Sequence, residues 1–204
     1  MITLPTPKRA EWARVVPPAL EPITLADVKA QARITHDDAD PLLTAYIQAA
    51  RETAEKTMNR GLLTQTWELV LDQWYEEMWL PRAHPLQSVT AITYYDADGT
   101  LQTLAPAFYA VETISRPGRV VRAAGYAWPP LQADRLAGRV IIRYVVGWET
   151  VEDVPERIKQ GIRLYVTYLD RDRDGSTLTG ETARQAAAAC WDDVVTWPDV
   201  WPIP

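Results

Sequence analysis

The sequence predicts an α+β protein: a small helical core, an antiparallel β module inserted into it, and a C-terminal helix followed by an extended tail. Three observations carry this reading. Apolar residues recur at spacings of three and four over 41–60 and again over 154–171, the period of an amphipathic helix. Between them, over about 62–149, short segments alternate apolar with polar residues and are punctuated by Gly and Pro, as antiparallel strands are. The 204 residues are 47% hydrophobic and 24% charged, enough apolar material to fill a core.

Each element has a local reason. Residues 1–23 hold five prolines and no apolar period, which predicts an extended arm that takes its order from something else. Thr24 suits an N-cap with Asp27 in the first turn, opening a helix over 24–33 with Leu25, Val28 and Ala32 on one face. Asp40 followed by Pro41 is a second helix start, cap then N1 proline, and Gly61 is the expected C′ residue that ends it. Leu42, Leu43, Tyr46, Ile47, Ala50, Ala54 and Met58 recur at three and four as the apolar stripe of this helix, about 30 Å long at 1.5 Å per residue.

From Leu62 the period changes to two: "TQTWELVLDQW" sets Trp67, Leu69 and Leu71 against polar neighbours. "SVTAITYY" repeats the pattern, and the Asp96–Gly99 turn joins it to "TLQTL" as a hairpin. "FYAVETI", "GRVVRAA" and "GRVIIRYVVGW" complete the module. Helix returns at 154–171, with Pro155 in its first turn, Ile158, Ile162, Tyr165, Val166 and Leu169 inward, and Arg171 and Arg173 at its C-terminal end. A loop, a short helix in "ETARQAAAAC" and a Trp/Pro-rich tail occupy 174–204.

Composition and motifs narrow the function. One cysteine, Cys190, allows neither an internal disulfide framework nor a cysteine zinc cluster. No apolar run reaches the roughly 18 residues of a membrane span, and the N-terminus lacks the apolar stretch expected of a secretory signal. A net charge of −6 with no Lys/Arg run disfavours gripping nucleic acid, since phosphate contacts dominate such affinity. The two histidines, His36 and His84, have no local frame that sets them beside Ser88, Ser115, Ser176 or Cys190 as a nucleophile would require. Neither a G-x-G-x-x-G nor a G-x-x-x-x-G-K phosphate loop occurs among the nine glycines. Trp67, Trp74 and Trp79 read as core of the β module; the competing reading is a stacking platform for sugars.

Two acidic stretches have metal-like spacing. In "HDDAD", His36 to Asp40, the simpler reading is a helix start favoured by negative charge. "DRDRDGSTLTGE" matches a calcium-binding EF-hand loop: Asp170, Asp172, Asp174, the Ser176 carbonyl and Glu181 would hold the ion, with Gly175 making the turn. Against calcium stand Thr177 and Leu178 at the eighth and ninth positions, an Ala-rich exiting helix and no second loop to pair with. The alternative is a solvated turn in which Arg171 and Arg173 neutralise the neighbouring acids.

Three stretches taken together resemble a known family: "ITLADVKAQARI…DDADPLLTAYIQAARETAEKTMNRGLLTQTWEL", "LPRAHPLQSVTAITYYDADG" and "VPERIKQGIRLYVTYLDRDRD". The chain is similar over about 23–173 to the head-to-tail connectors of tailed phages, the adaptor or head-completion proteins found also in prophages and gene transfer agents. The resemblance implies a structural, non-enzymatic virion protein at the head-tail junction, made in the host bacterial cytoplasm. It implies a homo-oligomeric ring, of twelve copies, with the portal protein above and a stopper or tail-completion protein below. DNA would pass through the ring without specific binding, and no catalytic residues are implied.

An acidic balance suits a channel wall that DNA must slide past. In "WDDVVTWPDVWPIP", Trp191, Val194, Trp197, Val200, Trp201 and Ile203 are apolar enough to form a partner interface, with the portal or a neighbouring subunit as partner; for the first half of the tail, folding back on its own subunit is the equal alternative. That tail is not part of the resemblance. The competing functions are a carbohydrate- or receptor-binding virion module and, after it, a hydrolase.

Overall fold

The computed structural model describes residues 10–172 and 185–191. The chain divides into two compact units, one helical (18–64, 147–172 and 185–191) and one of strands (10–17 and 65–146).

In the helical unit, α1 spans Leu25–Ala32, α2 Asp40–Met58 and α3 Glu156–Arg171. The Thr24 cap is present as expected: its hydroxyl accepts from Asp27 N at 3.1 Å while the Asp27 carboxylate accepts from Thr24 N at 2.8 Å. Most of the inward stripes meet as their periods require; Leu42 is the exception on α2, exposed beside Leu43, and Leu169 lies outside the core cluster near the end of α3. Leu43, Ile47, Ala50, Ala54 and Met58 of α2 share one core with Val28, Leu62, Ile158, Ile162 and Val166. Two expectations for α2 are corrected. Asp40 is not its cap, because Ala39 occupies that position and the Asp40 carboxylate turns to Lys29 instead, at 2.6 Å. Nor does Gly61 end it: Asn59 takes the left-handed conformation (φ 50°), which an Asn tolerates well enough to stop the helix two residues earlier.

In the strand unit, β1 is Ala10–Val16, β2 Gln65–Leu71, β3 Glu77–Trp79, β4 Leu86–Tyr95, β5 Leu101–Thr103, β6 Tyr109–Glu112, β7 Arg119–Arg122 and β8 Val140–Val146. Two antiparallel sheets form, one ordered β1-β2-β8-β4-β5 and the other β3-β7-β6. The period-two pattern fixes which side is buried: Trp67, Leu69 and Leu71 of β2 and Val140, Ile142, Tyr144 and Val146 of β8 all enter the core. The Asp96–Gly99 hairpin closes on the Asp96 carboxylate, which accepts from Thr100 N at 2.9 Å, and on Gly99 at φ 81°.

Three boundaries differ from expectation. Residues 10–16, read as part of a loose arm, pair with β2 from Ala10↔Leu71 to Val16↔Thr66. Trp12 packs against the strand core and supplies the burial that the surrounding prolines concealed. β3 is an unforeseen strand. Leu62 and Leu63, placed at the start of the β module, belong to the helical core, because Leu62 N donates to the buried Glu55 carboxylate at 3.0 Å.

Candidate assembly interface

The helical unit is organised around a buried cation. Arg51 and Glu55, with side chains only 3% and 2% exposed, pair at 3.0 Å one turn apart on α2. Arg51 also reaches Glu21 at 2.8 Å and Glu52 at 3.7 Å, tying the segment before α1 to α2. Burial holds the Glu21 carboxyl above its ordinary value despite the adjacent guanidinium. Sequence reading missed this network. Glu21 lies thirty residues from Arg51, and nothing in the sequence around Arg51 distinguishes it from a surface arginine.

The exposed surface of α2 is uncharged over its first half, before Glu52 and Lys56 follow on the same side. Pro41, Leu42, Thr44, Ala45, Gln48 and Ala49 are all exposed and none is charged. Small, uncharged side chains along an exposed helix let another surface approach closely without desolvating ions.

The sequence-predicted site residues fall as follows. Lys29 holds Asp37 at 2.5 Å and Asp40 at 2.6 Å, so two of the three "HDDAD" acids serve an ion-pair cluster, while Asp38 is exposed beside His36. That bond to Lys29 draws the Asp37 carboxyl below its usual value. Asp170 and Asp172 lie at the end of α3; Asp174, Ser176 and Glu181 lie outside the described residues. No group of three His, Cys, Asp or Glu among the described residues is placed to hold a metal ion.

Of the two placements open to Trp191, a partner interface or its own subunit, it takes the second, 1% exposed within the helical core. It lies against α3 at Gly161, where an added Cβ would stand 2.9 Å from Trp191 Cε2 and 3.0 Å from Cys190 Cβ. The glycine is what admits the indole. Val194, Trp197, Val200, Trp201 and Ile203 lie outside the described residues.

The tryptophans of the strand unit are engaged internally. Trp67 is in the core. Trp74 stacks on Trp128 at 4.7 Å and 10°, and their indole N–H groups donate to Pro129 O and Tyr75 O. Trp79 lies beneath Arg119, 4.8 Å from the guanidinium. The charged pairs of this unit lie across its strands, Arg143 on Glu68 and Arg119 on both Glu77 and Glu112. Two side chains missed by sequence reading stand out: Ile114 and Leu136 are 93% and 87% exposed. Apolar residues in "TISRPG" and "ADRLAG", turn-like segments, were the available signal.

The comparisons point one way. The model of the phage gp6-like head-tail connector family matches residues 22–101, from α1 to β5. Among solved structures, the chain is similar to one from the neck of an empty gene transfer agent (GTA) particle computed with C6 symmetry. That match has a TM-score of 0.74 and 21% identity, and covers 95% of this chain and 100% of that one. A chain from the virion of a native gene transfer agent particle matches at TM-score 0.70 and 21% identity, over 88% and 94% of the two chains. One from the neck of a native GTA particle computed with C12 symmetry matches at 0.67 and 21%, over 93% and 100%. Likeness at this identity establishes a shared fold. No curated protein matches the chain.

Proposed function

We propose that this chain is a structural virion protein, a head-to-tail adaptor that forms a ring at the junction of capsid and tail. The observation that carries the reading is the whole-length likeness to a neck chain, with all of that chain covered, together with the connector-family match over α1 to β5. The role is architectural and not enzymatic. Twelve copies surround the DNA channel, the portal protein sits above the ring, and a stopper or tail-completion protein docks below.

The physical features suit that work. A net charge of −6 gives a wall that repels the DNA sliding past it. The uncharged first half of α2, 41–49, gives neighbouring subunits a surface that closes without stranding charge. No helix among the described residues is long and apolar enough to cross a membrane.

Electron microscopy of the purified chain mixed with its portal protein tests the reading. A ring of added density on one end of the portal is expected. Portal particles left bare at saturating chain would overturn it.

A further inference from the structure

The turn between β6 and β7, 113–118, carries Ile114, the most exposed large apolar side chain among the described residues at 93%. Single exposed apolar residues are ordinary. This one differs in what holds it. Below the tip, Gly118 N donates to Ala83 O at 2.7 Å and Leu80 N donates to Gly118 O at 2.9 Å. Pro117 and Gly118 are buried, and a Cβ on Gly118 would collide with Leu86. Arg119 then bridges Glu112 and Glu77 at 2.7 Å each. The base is fixed, so burying the tip against another surface loses little conformational freedom.

The tip also has a charge. Arg116 is exposed and makes no ion pair among the described residues. It therefore suits an apolar floor with an acidic rim, and this chain has such a surface in its helical unit. Residues 148–153 form a turn in which Trp148 and Val151 are half-buried against the helical core while Glu149 and Glu152 are exposed. Neither glutamate has an ion-pair partner among the described residues. Val154, 1% exposed, and the Thr150–Asp153 hydrogen bond at 2.7 Å hold the turn in shape.

We infer that the Ile114–Arg116 tip of one copy docks on the Trp148–Glu152 turn of the next copy. Ile114 covers Trp148 and Val151, and Arg116 pairs with Glu149 or Glu152. The two patches differ, so the contact is head-to-tail and repeats from copy to copy, as ring closure requires. The inference rests on the ring reading above and names the surfaces that would join its neighbours.

Sedimentation velocity over a concentration series, with negative-stain microscopy of the assembled fraction, tests it on the full chain. Ile114→Asp and Arg116→Glu should each weaken self-association at least tenfold without changing the melting temperature, since both side chains are exposed. Glu149→Arg with Glu152→Arg should do the same, and adding Arg116→Glu to that pair should restore part of the loss. Rings of unchanged concentration dependence in the Ile114 and Arg116 variants would overturn the contact and leave the ring reading standing. A wild-type chain that stays monomeric at every concentration, yet rings the portal, would overturn it as a self-contact made without the portal. A chain that neither self-associates nor joins the portal would overturn both.

Discussion

The helical unit seals one ion-paired arginine inside, beside pairs it leaves at its surface, whereas the ion pairs of the strand unit lie on its strand faces. In the helical unit an arginine and a glutamate are sealed inside, with a second carboxylate completing the cation's shell. In the strand unit the core cluster is apolar apart from tyrosine and tryptophan, and the ion pairs run across exposed strand faces. The Tyr144 hydroxyl, donating to Pro81 O at 2.8 Å, and the buried Gln65, accepting from the Trp67 indole at 3.1 Å, are polar exceptions within it. A buried pair is geometrically demanding, because each partner is costly when left alone. Exposed pairs contribute little and tolerate change. The difference assigns the units different freedoms: the helical unit fixes relative positions, and the strand unit can vary its rims and tips without losing its core.

The largest expected effect breaks the first half of that contrast. Arg51→Leu leaves Glu55 buried without its cation and should cost about 3–5 kcal/mol. Denaturant unfolding gives the size, and hydrogen exchange should place the lost protection in peptides of 18–64 and 147–172. Equal loss over 65–146 would show that the two cores do not behave as separate units.

A smaller effect, of unexpected sign, is predicted for Gly161→Ala. Alanine in a helix interior ordinarily stabilises by about 1 kcal/mol. Here the new methyl meets the Trp191 indole and Cys190, and the variant should lose about 1–3 kcal/mol. Combining it with Trp191→Ala should make the alanine favourable again relative to Trp191→Ala alone.

In the strand unit, Trp74→Leu removes the stack on Trp128 and one hydrogen bond to Pro129 O. It should cost about 1–2 kcal/mol, with faster exchange in peptides covering 123–139.

The smallest effect is read through pH. The hydrogen bond from Lys29 lowers Asp37, and that from the Thr24 backbone lowers Asp27, each below the ordinary 3.8. A lowered folded value means stabilisation that is complete above 3.8 and disappears as pH falls through the folded values. Asp37→Asn should therefore lower the melting temperature slightly at pH 7, where the stabilisation is complete, and converge on the parent as pH falls through the folded value, which flattens the acid limb of the profile.

What was legible in the sequence follows from range. α2, α3 and β2 each announce themselves within one element, since burial on one side imposes a period on their own residues. β1 could not be seen that way, because its seven residues sit among prolines and its reason for being a strand is β2, far along the chain. Arg51 is the same case for charge, needing Glu21 thirty residues away to explain it. The tail was legible as apolar, but its first tryptophan is claimed by Gly161, which local composition does not reveal. Ile114 was visible only as an apolar residue in a turn, and the bonds that make its base rigid come from Ala83, Leu80 and Leu86.

The pairing of β1 with β2 also sets a timetable. β1 ends at Val16 and β2 does not begin until Gln65. At roughly 5–20 residues per second on a ribosome, the first strand emerges several seconds before anything can pair with it. Through that interval its backbone edge is an open template for any other extended chain nearby. Glu11 and Arg14 within it, and the Pro17–Pro18 pair just beyond, are the kinds of residue that discourage such adventitious pairing. Nascent chains stalled before residue 65 should thus stay soluble, and replacing Glu11 and Arg14 by valine should make those stalled chains aggregate while leaving the finished protein able to fold.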